Sequence, residues 1–210
     1  MKAETQSNYD RLSRWYDALA GSEARFVRQA VDGLNLCPGE RVLEIGCGTG
    51  KALSELAART GPGGLALGLD LSLGMLRRSA RRTGPHVSQA DALALPCAAA
   101  SFDAVLMTFT LEIFSDAEII RVLGEVRRVL RPGGRLGLVF LLETDAPGWM
   151  ERTYGHFHRR YPDRIDCRPI RPDGRVREAG FSLAMADRRL LWGLPVCIIL
   201  AVKEVERWQP

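Results

Sequence analysis

Residues 41–50 read R-V-L-E-I-G-C-G-T-G, and their order decides the fold. Val42, Leu43 and Ile45 make a short apolar run with almost no polar relief, the pattern of a strand covered on both faces of a parallel sheet. Gly46, Gly48 and Gly50 then end the run. Helical spacing resumes over residues 51–60, with Leu53, Leu56 and Ala57 predicted on one inward face. Strand, glycine turn and helix open a nucleotide-binding βαβ unit. Glycines let the backbone bend sharply and let a ligand lie against bare main chain, facing the N–H groups at the helix start.

The turn does not suit every nucleotide. A dinucleotide fingerprint needs G-x-G-x-x-G, and Lys51 stands where its third glycine belongs. A phosphate loop needs G-x-x-x-x-G-K with a hydroxyl residue next; the stretch from Gly46 to Lys51 lacks both the spacing and the hydroxyl. Glu44, just ahead of the turn, repels a pyrophosphate and suits a cation. Asp70 closes the next apolar run, L-A-L-G-L-D, where a carboxylate can accept both ribose hydroxyls. The pattern asks for a ribose, no phosphate and a nearby positive charge. S-adenosylmethionine meets all three. A glycine turn in a merely structural α/β domain is the competing reading.

With these residues in view, E-I-G-C-G-T-G and the later carboxylates resemble the class I S-adenosylmethionine-dependent methyltransferases, and within them the type-11 methyltransferase-domain family. That family includes C-methyltransferases of ubiquinone and menaquinone biosynthesis. The resemblance runs from Tyr9 to about Lys203. It implies an α/β fold: a three-layer, doubly wound, mostly parallel seven-stranded sheet of Rossmann-like form, closed by an antiparallel C-terminal hairpin. Y-D-R-L-S-R-W-Y-D near the N-terminus resembles the family's Y-D-x-x-A-x-x-Y-D signature, with Ser13 at its alanine position. The resemblance makes residues 1–21 a lid over the cofactor, with Tyr16 near its methionine end. Spacing alone also allows a plain amphipathic helix there. D-A-L-A-L-P resembles the family's D-A-x-x-L-P motif, and Asp91 can accept a hydrogen bond from the adenine amino group. The cofactor site expected on these grounds comprises Tyr16, Glu44, Gly46, Cys47, Gly48, Gly50, Asp70, Leu71, Met75, Asp91, Ala92 and Thr108. These motifs specify the cofactor and leave the substrate open.

Composition bounds the rest. At 210 residues and 46% hydrophobic, the chain is expected to be one globular domain over 1–210 with a full core. No run approaches the roughly 20 apolar residues of a membrane span, and the polar start M-K-A-E-T-Q-S-N does not read as a signal peptide. Five scattered cysteines, Cys37, Cys47, Cys97, Cys167 and Cys197, point to a reducing cytoplasm with neither disulfides nor a zinc site. The net charge of +4, from 29 basic and 25 acidic residues, is too mild to argue nucleic acid. It leaves peripheral contact with anionic membranes open, as does the run Arg77, Arg78, Arg81 and Arg82, which otherwise reads as a solvated helix face. Oligomeric state is not legible.

Local signals complete the plan. Ser22 is the expected N-cap of a helix through about Leu34, with Phe26, Val27, Ala30 and Leu34 inward. Ser72 caps a helix that buries Met75 and Leu76, and Ser115 with Glu118 forms a capping box. Residues 86–90, 102–109 and 135–142 read as strands, with 131–134 (R-P-G-G) as a turn. Cys97 is expected to be buried and unreactive. Residues 143–161 are the least periodic stretch and hold Trp149, Tyr154, His156, Phe157 and His158. Residues 181–191 and 196–202 flank W-G-L-P and suggest the closing hairpin.

Methyl transfer from a sulfonium needs alignment and exclusion of water more than activation. The acceptor is expected beside the end of the fourth strand, near Thr108, Phe109 and Thr110; the T-F-T-L there is not the N-P-P-Y-type signature of amino-group DNA methyltransferases. No carboxylate and amide set for a catechol-type magnesium site stands out. Where the acceptor needs a base, His156, His158 and Glu112 are the candidates, the last placed near the mouth of the site. His156-x-His158 also fits two metal ligands, without an evident third. The aromatic walls suggest a small hydrophobic acceptor, a quinol or lipid-like molecule. A phospholipid N-methyltransferase and a non-catalytic cofactor-binding protein are the alternatives.

Overall fold

A computed structural model describes residues 22–161 and 167–205 of the chain. The apolar runs become strands β1 (Arg41–Ile45), β2 (Leu65–Asp70), β3 (Val87–Gln89), β4 (Phe102–Thr108), β5 (Leu130–Leu141), β6 (Phe181–Leu191) and β7 (Leu194–Lys203). They form one sheet in the order β3-β2-β1-β4-β5-β7-β6. The first five strands are parallel, and β7 runs antiparallel to both β5 and β6. The strand order reverses at β1, so β1 and β4 are neighbours that diverge toward opposite halves. In open α/β sheets ligands settle at this switch point, against the carboxyl ends of the strands.

Helices α1 (Ala24–Gly33), α2 (Lys51–Thr60), α3 (Leu73–Thr83), α4 (Asp116–Val129), α5 (Trp149–Arg160) and α6 (Asp173–Glu178) cover the sheet. Two apolar layers result. Val42, Ala104, Leu106 and Ile198 face α1 and α2, whereas Leu43, Val105, Leu138 and Ile199 face α4 and α6. The period-two alternation of a strand makes this division automatic. It also puts Glu44, two residues after Val42, on the α1 and α2 side, inside an otherwise apolar layer.

The local signals mostly act as expected. The Met75 N–H donates to Ser72 Oγ (3.1 Å), and Ser115 and Glu118 close a reciprocal capping box. Several expectations need correction. Helix α1 begins one residue later than Ser22 implies, with Glu23 at its N-cap position and no side-chain cap. Ala57 is exposed; Ala52, Leu53, Leu56 and Thr60 form the buried face of α2. Residues 131–134 do not leave the sheet. They belong to β5, whose pairing slips between Phe102↔Leu130 and Ala104↔Arg135, so the glycines are absorbed in an irregularity of the ladder. Cys97 is half-buried rather than buried, although burial pushes its thiol up, against the opposing Arg128. Residues 143–161, read as aperiodic, contain the twelve-residue helix α5.

The closing hairpin turns at Trp192-Gly193, where both residues have positive φ (50° and 84°) between the paired Leu191 and Leu194. A two-residue loop with both φ positive is the type I′ turn that suits the twist of a hairpin. Strand β6 is the sheet edge. Its residues alternate in exposure, it carries Asp187, Arg188 and Arg189, and its register shifts between Leu183 and Met185. Among the described residues no helix is long and apolar enough to cross a membrane.

Candidate active site

The glycine turn is tied to the strand beside it. Gly46 and Cys47 both donate to the Leu69 carbonyl (2.7 and 3.0 Å), and the Gly48 N–H donates to Asp70 Oδ2 (2.8 Å). Asp70 Oδ1 accepts from the Ser72 N–H (2.8 Å), so one carboxylate positions both the turn after β1 and the start of α3. Gly46 and Gly50 have no substitute. Their φ values are +73° and +79°, and a Cβ would lie 2.3 Å from Thr110 Oγ1 at Gly46 and 2.4 Å from Ser79 Oγ at Gly50. Arg82 braces the turn from α3: its Nη1 donates to the Thr49 carbonyl (2.6 Å) and to Thr49 Oγ1 (3.1 Å). One of the four arginines read as a solvated face is therefore part of the scaffold.

A cavity of about 230 Å³ opens beside the turn. The sheet contributes Glu44, the turn residues Gly46 to Thr49, Thr108 and Phe109, and α1 contributes Glu23, Val27 and Arg28. Phe109 holds φ +49°, a left-handed conformation that costs a bulky residue strain, and its N–H donates to the Val139 carbonyl (2.7 Å). The contribution of α1 had no signal beyond ordinary amphipathic spacing. Burial pushes the Glu23 carboxyl up to about 6, with Lys51 pulling it down.

Glu44 is 2% exposed, and its Oε2 accepts no hydrogen bond among the described residues. Burial first, then the Asp70 carboxylate, holds its carboxyl well above the ordinary carboxylate range; the Leu53 N–H at the start of α2 opposes both. An acceptor left this way in a cavity wall calls for a positively charged group. Cys47 is buried (5% exposed), and burial followed by Glu44 and Asp70 drives its thiol far up, so it is packing and not a nucleophile.

Strand order aligns the remaining sequence-predicted residues. Asp91 follows β3, Asp70 ends β2, Glu44 lies in β1 and Thr108 ends β4, four adjacent strands in a row. At about 4.8 Å per strand the row spans roughly 14 Å. Asp91 Oδ1 accepts from the Leu93 N–H (3.0 Å), fixing a turn that places buried Ala92 beneath it. That loop is bolted to α4: the Leu95 N–H donates to Glu125 Oε2 (2.7 Å), and Arg128 donates to the Leu95 and Cys97 carbonyls. Met75 is buried, and Leu71 accepts from Gln89 Nε2 through its carbonyl (2.9 Å). Tyr16, with Tyr9 and Trp15, lies outside the described residues.

The three expected bases are not gathered at the cavity. Glu112 is fully buried in the short 3₁₀ turn Leu111–Ile113, where its Oε1 accepts from the Leu141 N–H (3.2 Å), and it does not line the cavity. His156 is exposed on α5 and His158 is half-buried there; neither lines the cavity. The aromatic stretch is likewise not a wall: Trp149, Phe157 and Tyr161 are 69%, 47% and 43% exposed. Only Tyr154 turns inward, its hydroxyl donating to the Cys167 carbonyl (2.8 Å), while Cys167 Sγ lies 3.9 Å from the Phe109 carbonyl.

A Rossmann-like sheet with this turn and this row of carboxylates defines a class I methyltransferase scaffold. The comparisons agree. The methyltransferase-domain profile matches residues 42–134. The demethylmenaquinone methyltransferase of Thermus thermophilus is 38% identical over 171 residues, covering 79% of this chain and 73% of that one. The Mycolicibacterium gilvum enzyme of the same name is 34% identical, covering 90% and 82%. The match spans a smaller share, 62%, of the Symbiobacterium thermophilum relative. Among solved structures, the methyltransferase in complex with the Trm112 activator of Haloferax volcanii superimposes with a TM-score of 0.80 at 18% identity over 98% of this chain and 100% of that one. A SAM-dependent methyltransferase of Thermotoga maritima gives 0.73 at 21% identity over 95% and 100%. The chain belongs to the S-adenosylmethionine-dependent methyltransferase family. The residues present fit that cofactor: the buried acceptor on Glu44 suits its cationic end, and the bare glycine turn gives it a backbone surface.

Proposed function

We propose that this methyltransferase alkylates a small hydrophobic acceptor of the quinol class. The observation that carries the reading is Phe109, held in a left-handed conformation on the cavity wall beside Glu44 and the glycine turn. Phe109 and Val27 both line the cavity and give a flat aromatic ring apolar surface to lie against. The names of the demethylmenaquinone methyltransferase relatives support the same class.

In this reading the adenine lies toward Asp91 and Ala92, the ribose on Asp70, and the sulfonium and amino group near Glu44. The lid expected over residues 1–21, Tyr16 included, lies outside the described residues. S-adenosylmethionine supplies a methyl group already activated by its sulfonium. The acceptor carbon or oxygen takes the methyl and gives up one proton. Glu23, pushed up to about 6, is ionised at neutral pH and can receive that proton inside the cavity. It takes the role that His156, His158 and Glu112 were expected to fill. This reading sets the reaction in the cytoplasm, a location that the five free cysteines support.

The test is purified enzyme with methyl-labelled cofactor, offered short-chain naphthoquinols, benzoquinols and phosphatidylethanolamine vesicles. Label in a quinol product supports the reading; label in phospholipid alone overturns it in favour of the lipid N-methyltransferase. If Glu23 is the base, kcat/KM rises with pH through about 6 as the carboxyl ionises, and Glu23→Gln flattens that limb.

A further inference from the structure

No side chain of helix α5 is fully buried, and its inner face packs only through half-buried residues such as Met150 and Tyr154. Its outer face carries Trp149, Phe157 and the basic Arg152, Arg159 and Arg160, all exposed, while its one carboxylate, Glu151, is turned back to Thr144 Oγ1 (2.6 Å) and the Gly148 N–H (2.8 Å). The hairpin turn lies against it. A Cβ on Gly193 would sit 3.4 Å from Met150 Cβ, so Trp149 and Trp192 flank one contact. Trp192 is 67% exposed and Leu190 60%. The pairing of Leu141 with Val196 sets this turn at the carboxyl end of β5, the same edge of the sheet as the cavity.

The choice of Trp192 is costly where it stands. Both turn positions need positive φ, and Asn-Gly is the pair that adopts it most readily. A bulky aromatic held at φ +50° and 67% exposed gains little burial among the described residues to offset the strain. An indole, a phenyl ring and arginines on one face match the headgroup region of a bilayer, where aromatic rings settle and cations meet anionic lipid.

We infer that α5 and the Trp192-Gly193 turn form a docking surface for an anionic lipid membrane. The inference rests on the quinol reading in one respect: a hydrophobic acceptor dissolved in lipid would be reached from this edge. The inner face of α5 leads to the cavity, from Tyr154 through Cys167 to Phe109. It relocates membrane contact from the arginines of α3, one of which is committed to Thr49.

Full-length protein is tested by co-sedimentation with vesicles of phosphatidylglycerol and phosphatidylcholine, against phosphatidylcholine alone. Binding is expected on the anionic vesicles and falls with salt. Arg159→Gln with Arg160→Gln weakens it roughly 30-fold, at about 1 kcal/mol per arginine. Trp192→Asn weakens it while leaving the hairpin at least as heat-stable, a pairing that a merely structural tryptophan would not give. Cofactor affinity by calorimetry stays unchanged in both variants. Equal binding to the two vesicle types, or full binding by both variants, overturns the inference. A native dimer that Trp192→Asn dissociates, with no vesicle binding, overturns it in favour of a second copy. Failure to methylate soluble short-chain quinols would sink the acceptor reading and leave this result standing.

Discussion

On the β1 to β3 side of the sheet, the turn after β1 and the carboxylates at the strand ends are held by partners from another element: Asp70 by the turn and α3, Thr49 by Arg82, the loop after Asp91 by Glu125 and Arg128. On the β5 to β7 side, no side chain of α5 is fully buried, and apart from the half-buried Tyr154 its aromatic rings stand in solvent. In the reading proposed above, the first side holds a cofactor common to a family and has to be pre-shaped, and the second meets what brings the acceptor and can remain a surface. Substitutions should therefore be punished on one side and tolerated on the other.

The largest effect is expected at Gly50. Gly50→Ala puts a Cβ 3.0 Å from the Ser79 Cα on a backbone at φ +79°, and should cost about 3 kcal/mol of stability and most cofactor binding. A native melting temperature would break the argument that the turn is fully determined. Next comes Asp70→Ala, which orphans the Gly48 and Ser72 N–H groups; cofactor affinity should fall by about 1.5–3 kcal/mol by calorimetry.

Glu44→Gln sharpens the comparison through pH. The folded carboxyl ionises well above the ordinary value, so between the two values the folded state binds more protons than the unfolded one. Stability of the cofactor-free protein then falls as pH rises across that window and is greatest below it. The glutamine variant should lose this slope, melt no lower at neutral pH, and bind cofactor roughly tenfold more weakly. A retained slope in thermal scans would assign it to another group. Arg82→Ala should cost about 0.5–1.5 kcal/mol through the Thr49 contacts. The smallest effect is at Phe157→Ser, within about 0.5 kcal/mol by urea unfolding.

The same asymmetry governed what could be read from sequence. The strand-end placement of Glu44 and Asp70 was legible because each interrupts or ends an apolar run, and that of Asp91 only through the resemblance of D-A-L-A-L-P, since Ser88 and Gln89 precede it. Helix α5 was not, because periodicity detects an apolar buried stripe, and the half-buried line of α5 runs through Met150, Tyr154 and the polar His158, with Trp149 and Phe157 outward. Its signal was the smaller one of Glu151 three residues after Gly148. The brace from Arg82 to Thr49 joins residues 33 apart through a backbone carbonyl, which no pattern of side chains encodes. Glu23 entered the site only because α1 crosses the carboxyl edge near β4, a tertiary fact.

Strand β6 has a consequence for the protein in a crowded solution. Eleven residues long at the open side of the sheet, it offers a row of backbone groups on which a foreign strand could pair. The irregular register at Leu183 and Met185 breaks the straight template, and Asp187, Arg188 and Arg189 put charge along it. The opposite edge, β3, is only three residues long. Among the described residues the sheet thus has two unpaired edges, and each carries a feature that disfavours pairing with a foreign strand.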